Sequence, residues 1–131
     1  MDEIDRDILD ILRENSRANY IDIADKVGLT EGAIRKRVKK LKESGVIKRF
    51  TIEVSAEVEG LVIIKSDPAQ TKEAAKKVKE HAEKVYELSG EYDIIALIHS
   101  YDISDLNEKV DKIRETPGIS YTSTLIKLKE H

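Results

Sequence analysis

Residues 19–45 read NYIDIADKVGLTEGAIRKRVKKLKESG, and their spacing decides how the first third of the chain folds. Asn19 is a helix cap, with Asp22 three residues on, so a short helix starts at Tyr20 and runs to Val27. Ile23, Ala24 and Val27 share one face of it, and Gly28 ends it as a left-handed cap glycine does. Thr30 caps the next helix, residues 31–44, with Glu31 at its positive end and Gly45 beyond it. Ile34, Val38 and Leu41 recur at i, i+4 and i+7, which is one buried stripe. A short helix joined through a glycine turn to a second helix is a helix-turn-helix pattern. Upstream, residues 2–15 carry Ile4, Ile8, Leu9, Ile11 and Leu12 at helical spacing, with Asp2 as cap and Asp5 and Asp7 at the positive end.

The third helix is the basic one. Residues 35–42 (RKRVKKLK) hold six basic groups in eight. At 100° per residue, Gly32, Lys36, Lys39, Lys40 and Glu43 lie opposite the apolar stripe. Arg35 and Lys42 flank that face, and Arg37 sits nearer the core edge. The 131-residue chain has 23 Lys and Arg against 26 Asp and Glu, net −3, which by itself argues against nucleic acid. The average conceals a division. Residues 1–50 are net +2 and residues 51–131 net −5. A duplex partner needs cations for its phosphates and side chains from the start of the recognition helix for its base edges. Glu31, Arg35 and Lys36 are therefore candidate base or groove contacts, and Gly32 permits close approach. Arg37, Lys39, Lys40 and Lys42 are candidate phosphate contacts. Tyr20 reaches a phosphate or packs, and the sequence leaves both open.

After Val46 the period changes. Phe50, Ile52 and Val54 alternate with polar residues, as in a strand whose exposed edge calls for a partner chain. Residues 58–66 have a continuous apolar middle. A helix is expected over residues 68–83, with Asp67 as cap and Pro68 at its first position. Residues 84–89 alternate like a strand, Gly90-Glu91 turns, and residues 93–100 are a buried strand. A further helix spans residues 103–115, capped by Asp102 or Ser104. Pro117-Gly118 turns the chain into a last strand, residues 119–129. LVIIKSD (61–67) matches IIALIHSYD (94–102) at an offset of about 33 residues, each followed by helix and strand. The order is βαββαβ, a ferredoxin-like sheet with both helices on one face. Its other face needs a cover, and a second copy of the sheet supplies one. The expected fold is α+β: a helix-turn-helix domain over 1–47, a linking strand over 48–57, and a ferredoxin-like domain over 58–131.

Several chemistries are excluded. There is no Cys, hence no disulfide, thiolate zinc site or Cys nucleophile. No GxSxG, HExxH, P-loop or GxGxxG occurs. His81, His99 and His131 lack ligand spacing, so neither metal nor cofactor is expected. The acidic N-terminal residues do not read as a signal peptide, and no apolar run approaches 18 residues. A cytoplasmic, non-enzymatic, membrane-free protein is expected.

Two pairs of segments carry a resemblance. IDRDILDILREN (4–15) and IADKVGLTEGAIRKRVKKLKESGVIKRFTI (23–52) resemble the helix-turn-helix of the Lrp/AsnC family, the leucine-responsive or feast/famine regulators. SGEYDIIALI (89–98) and TPGISYTSTLIKL (116–128) stand where that family's G-x-Y-D loop and P-G-[VI]-x-x-T-x-T last strand would. The resemblance spans nearly the whole chain, although the link from Val46 to Val58 is shorter than is usual. It implies a transcription regulator that binds palindromic double-stranded DNA and responds to an amino acid. It also implies homodimers that assemble into octamers, with effector held at a contact between dimers by Gly90, Glu91, Tyr92, Asp93, Thr122 and Thr124. Read from the residues alone, Gly90 to Asp93 is equally a hairpin turn capped by Asp93, and the threonines are β-formers. Two other readings follow. One is a haem-precursor decarboxylase-like enzyme, for which the second half offers only His81, His99, His131 and Arg114. The other is a ligand sensor without DNA binding.

Overall fold

Helix starts in the first half are set by polar side chains that take free backbone N–H groups. In the computed structural model, which describes residues 1–55 and 58–131, α1 is Glu3–Glu14. Asp2 Oδ1 accepts from the Asp5 N–H at 2.8 Å, and Asp5 Oδ2 accepts from the Asp2 N–H at 3.2 Å, a reciprocal cap. Asn19 Oδ1 accepts from the Asp22 N–H at 2.8 Å and starts α2, Tyr20–Val27. Gly28 ends α2 at φ 76°, where a side chain is disfavoured, so the chain can turn at once into the next helix. Thr30 Oγ1 accepts from the Ala33 N–H at 3.2 Å and starts α3, Glu31–Glu43. Ile8, Leu12, Ile23, Ala24, Ile34 and Val38 form the core of this unit. Burying an isoleucine such as Ile34 contributes about 1.5–3 kcal/mol.

The chain divides into two compact units, Met1–Glu53 and Val54–His131. The second is a four-stranded antiparallel sheet in the order β2-β3-β1-β4. The strands are β1 Val58–Ser66, β2 Lys84–Glu87, β3 Ile94–Ser100 and β4 Ile119–Ile126. Helices α4, Thr71–Val78, and α5, Ile103–Arg114, pack on the face that carries Val62, Ile64, Ile94, Ala96 and Ile98. Alternation leaves Leu61, Ile63, Ile95, Leu97, Tyr121 and Leu125 on the other face. Leu61 is 39% exposed there and Leu125 50%. This is the expected βαββαβ arrangement.

Three expectations need correction. The helix after β1 does not begin at Pro68. Residues 67–70 form a turn, with the Gln70 N–H donating to the Asp67 carbonyl at 2.8 Å and the Ala69 N–H to Asp67 Oδ1 at 3.1 Å. The φ that proline fixes suits the second position of a turn as well as a helix start. The same helix stops early. A single 3₁₀ turn, Lys79–His81, leads to an extended Ala82, and the Glu83 N–H donates to the Leu97 carbonyl at 2.8 Å. Finally, residues 50–54 form no strand in the single chain. A strand needs a ladder partner, and these residues are exposed, Ile52 to 80%. The expected linking strand also takes in residues 56 and 57, outside the described residues.

Candidate DNA interface and effector site

Helix α3 turns Ile34, Val38 and Leu41 into the core and leaves Glu31, Gly32, Arg35, Lys36, Lys39, Lys40 and Lys42 exposed. A glycine inside a helix costs about 1 kcal/mol relative to alanine. A Cβ at Gly32 would meet nothing within 4 Å. Packing within the chain therefore does not require glycine here, whereas a close-approaching partner would.

The first two turns of α3 carry a polar cluster. Arg35 Nη2 donates to Glu31 Oε1 at 2.6 Å, and the Arg35 guanidinium lies 5.2 Å from the centre of the Tyr20 ring. Tyr20 is half-buried and packs against the core. The packing role left open for it is thus met, with its ring face turned to Arg35. Lys39 pairs with Glu43 at 3.9 Å, and the Lys42 ammonium stands 5.9 Å from the Phe50 ring.

Arg37, expected among the phosphate contacts, is held by two carboxylates. Its Nη1 donates to Asp2 Oδ2 at 2.7 Å and to Asp5 Oδ1 at 3.1 Å. It ties α3 to the cap of α1. The Arg37 hydrogen bond, helped by the Asp5 N–H, holds the Asp2 carboxyl below its ordinary range, and Asp2, then Asp5, push the Arg37 pKa up.

In the second unit, the loop before β3 meets the ends of β1 and β4. Gly90 has φ 120°, outside the reach of other residues. The Asp93 N–H donates to the Ile64 carbonyl at 2.9 Å, and its own carbonyl accepts from the Leu88 N–H at 2.8 Å. Its carboxylate accepts from the Ser66 N–H at 2.8 Å, just where the β1–β4 register shifts between Lys65 and Ser66. The backbone of Asp93 closes the loop, and its carboxylate ties the loop to β1 rather than capping its own turn, with one oxygen committed. Glu91 is exposed. Tyr92 stacks on Tyr121 at 6.4 Å, and the Lys65 ammonium lies 5.3 and 6.0 Å from the two ring centres.

The threonines face the other way. Thr122 pairs with Ile64 and Thr124 with Val62, which puts both on the helix-covered side. Thr122 Oγ1 accepts from Arg114 Nε at 3.3 Å, while Arg114 Nη1 reaches Asp111 at 3.4 Å. Thr124 Oγ1 is buried and has no hydrogen-bond partner among the described residues. Tyr92, Asp93 and Thr122 thus gather at one end of the sheet, but on two faces. Sequence reasoning left Lys65 and Arg114 out of the effector candidates, and the structure brings Lys65 to Tyr92 and Arg114 to Thr122. Lys65 is the one charge inside the apolar run LVIIKS, which was its only signal. Among the described residues, no group of three or more His, Asp or Glu is placed to hold a metal ion, and no helix is long and apolar enough to cross a membrane.

Comparison with known proteins agrees with both halves. Residues 1–48 match the winged helix-turn-helix DNA-binding family, and residues 59–131 match the Lrp/AsnC ligand binding domain. The HTH-type transcriptional regulator LysM of Sulfurisphaera tokodaii is 41% identical, over 98% of this chain and 96% of its own. The structure of Escherichia coli AsnC superposes with TM-score 0.75 at 29% identity, covering 99% of this chain and 93% of that one. The Neisseria meningitidis transcriptional regulator NMB0573, solved as a complex with L-Met, superposes with TM-score 0.78. At 21% identity, with 99% of this chain and 91% of that one covered, it shares the fold. The LysM relative and the FL11 protein of Pyrococcus abyssi are both named HTH-type transcriptional regulators. With both halves matched in order, the chain belongs to the Lrp/AsnC family of HTH-type transcriptional regulators.

Proposed function

We propose that this protein is a cytoplasmic regulator that binds a palindromic duplex operator as a homodimer and responds to an amino acid. The observation that carries the reading is the orientation of α3: apolar stripe inward, Lys36, Lys39, Lys40 and Lys42 outward. Two copies present two such helices to successive major grooves, roughly 34 Å apart. The domain boundaries we propose are 1–47 for the DNA-binding domain, 48–57 for the linking strand and 58–131 for the effector and assembly domain. Exposed Phe50, Ile52 and Val54 support pairing of the linking strand with a partner copy. The apolar open face of the sheet supports a second contact between copies, and octamers would form by further association of dimers.

An amino acid brings an ammonium and a carboxylate. Asp93 and the loop at Gly90, Glu91 and Tyr92 suit the first, and Thr122, Thr124 and Arg114 suit the second. The Met-bound Neisseria relative supports an amino acid as the ligand class. Effector acts only by binding one assembly or helix spacing more tightly than another. A thermal-shift screen of the twenty amino acids, followed by duplex titration with the best hit, tests this. Stabilisation by one or a few amino acids, with altered duplex affinity, is expected. No shift with any of them would end the amino-acid reading.

A further inference from the structure

Helix α3 holds two arginines, and the structure gives them different work. Arg37 is committed to Asp2 and Asp5. Arg35 faces outward near the start of α3, one turn beyond Glu31, where a recognition helix meets base edges. Its guanidinium is held on two sides, by Glu31 Oε1 at 2.6 Å and by the Tyr20 ring face at 5.2 Å. Tyr20 is itself anchored, since it opens α2 beside the Asn19 cap and packs on the core. An exposed arginine normally loses rotamer freedom when it binds, and a pre-held one loses less.

The chemistry selects a base. A planar guanidinium fork matches the paired acceptors O6 and N7 of guanine, and a carboxylate accepts from the N4 amino group of cytosine. Arg35 and Glu31 lie four residues apart on one helix face, next to the open space at Gly32. The lysines of α3 lack the fork and suit phosphates as point charges.

We propose that Arg35 reads a guanine in each operator half-site, with Tyr20 and Glu31 as the positioning residues that hold its guanidinium. The proposal rests on the duplex-binding reading above and names the base that this helix recognises.

The test is selection of bound sequences from a randomised duplex pool by the full chain. Quantitative titration then compares the selected duplex with one whose G·C pair is replaced. The variants are Arg35→Ala, Arg35→Lys, Glu31→Gln, Tyr20→Phe and Tyr20→Leu, each checked for an unchanged helical spectrum. The unmodified chain is expected to select one G·C pair symmetrically in each half-site and to lose about 5- to 150-fold on its replacement. Arg35→Ala should erase that preference, and Arg35→Lys, which keeps a donor but loses the planar fork, should weaken it. Tyr20→Phe keeps the ring face and should keep the preference. Tyr20→Leu and Glu31→Gln should weaken it, while the slope of affinity against salt stays as in the unmodified chain. An intact guanine preference in Arg35→Ala overturns the base assignment. An intact preference in both Tyr20→Leu and Glu31→Gln overturns the positioning role. Failure of the unmodified chain to bind any duplex at low salt is a separate outcome, which removes the function itself and this inference with it.

Discussion

Replacing Asp93 with alanine separates the structural role of its carboxylate from the effector contact proposed for it. Ser66 is 7% exposed, and its N–H donates to the Asp93 carboxylate at 2.8 Å. The register shift between Lys65 and Ser66 takes this N–H out of the regular β1–β4 ladder. Removing the carboxylate leaves a buried donor unpaired, which costs about 1–3 kcal/mol. For a unit the size of Val54–His131, that lowers Tm by about 5–20 °C. Differential scanning calorimetry of the full chain, without effector and at fixed protomer concentration, measures it. Asp93→Asn keeps an acceptor oxygen and should stay within about 1 kcal/mol of the unmodified chain. That variant, rather than Asp93→Ala, is the fair probe of effector binding. It should fold normally and lose most of the thermal shift given by an active amino acid. If Asp93→Ala melts together with the unmodified chain, the Ser66 contact does not stabilise the loop, and the structural role of Asp93 is refuted.

Other consequences are independent of this loop. Arg37→Met should lower stability yet leave the salt slope of duplex binding unchanged, because Arg37 is spent on Asp2 and Asp5; a flattened slope would return it to the phosphate contacts. Asp2, through Arg37, and Asp105, through Lys109, have folded pKa values below 3.8. Their stabilisation is present above 3.8 and is lost as pH falls through the lowered values. Acid titration of the double variant Asp2→Asn, Asp105→Asn should therefore show a shallower loss of stability below pH 3.8 than the unmodified chain. Leu61→Asp places a charge on the open sheet face, at a position already part-exposed in the single chain. Light scattering should show it dissociating the assembly, with the helical spectrum retained.

What could be read from the sequence follows the range of each interaction. Asp2, Asn19, Thr30 and Asp102 were recognisable as caps because each bonds an N–H three residues away. The strands of the second unit were legible because alternation and continuous apolar runs are local. Pro68 was misplaced because its fixed φ serves a turn and a helix start equally, and only the Asp67–Gln70 bond decides between them. The carboxylates that hold Arg37 could not be read locally, because they lie 35 and 32 residues away at the start of another helix. The strand expected at residues 50–54 depends on a partner that a single chain does not contain. The effector candidates were half legible. Alternation along β4 puts Thr122 and Thr124 on one face and Tyr121 on the other. The pairing of β4 with β1 was needed to show which face the helices cover, and to bring Arg114 to Thr122 and Lys65 to Tyr92 and Tyr121.

The duplex-binding face of α3 is tested most directly by the salt dependence of affinity. Fluorescence anisotropy of a labelled duplex, titrated across a range of salt, gives the slope of log affinity against log salt for the unmodified chain and for Lys39→Ala, Lys40→Ala. Each phosphate contact contributes about 0.9 to that slope. The double variant should lose about 1.8 per bound protomer, or about 3.6 per dimer, and should bind more weakly on specific and random duplex alike. A slope equal to that of the unmodified chain would mean that these outward lysines do not meet DNA, and would contradict the assignment of α3 as the recognition helix.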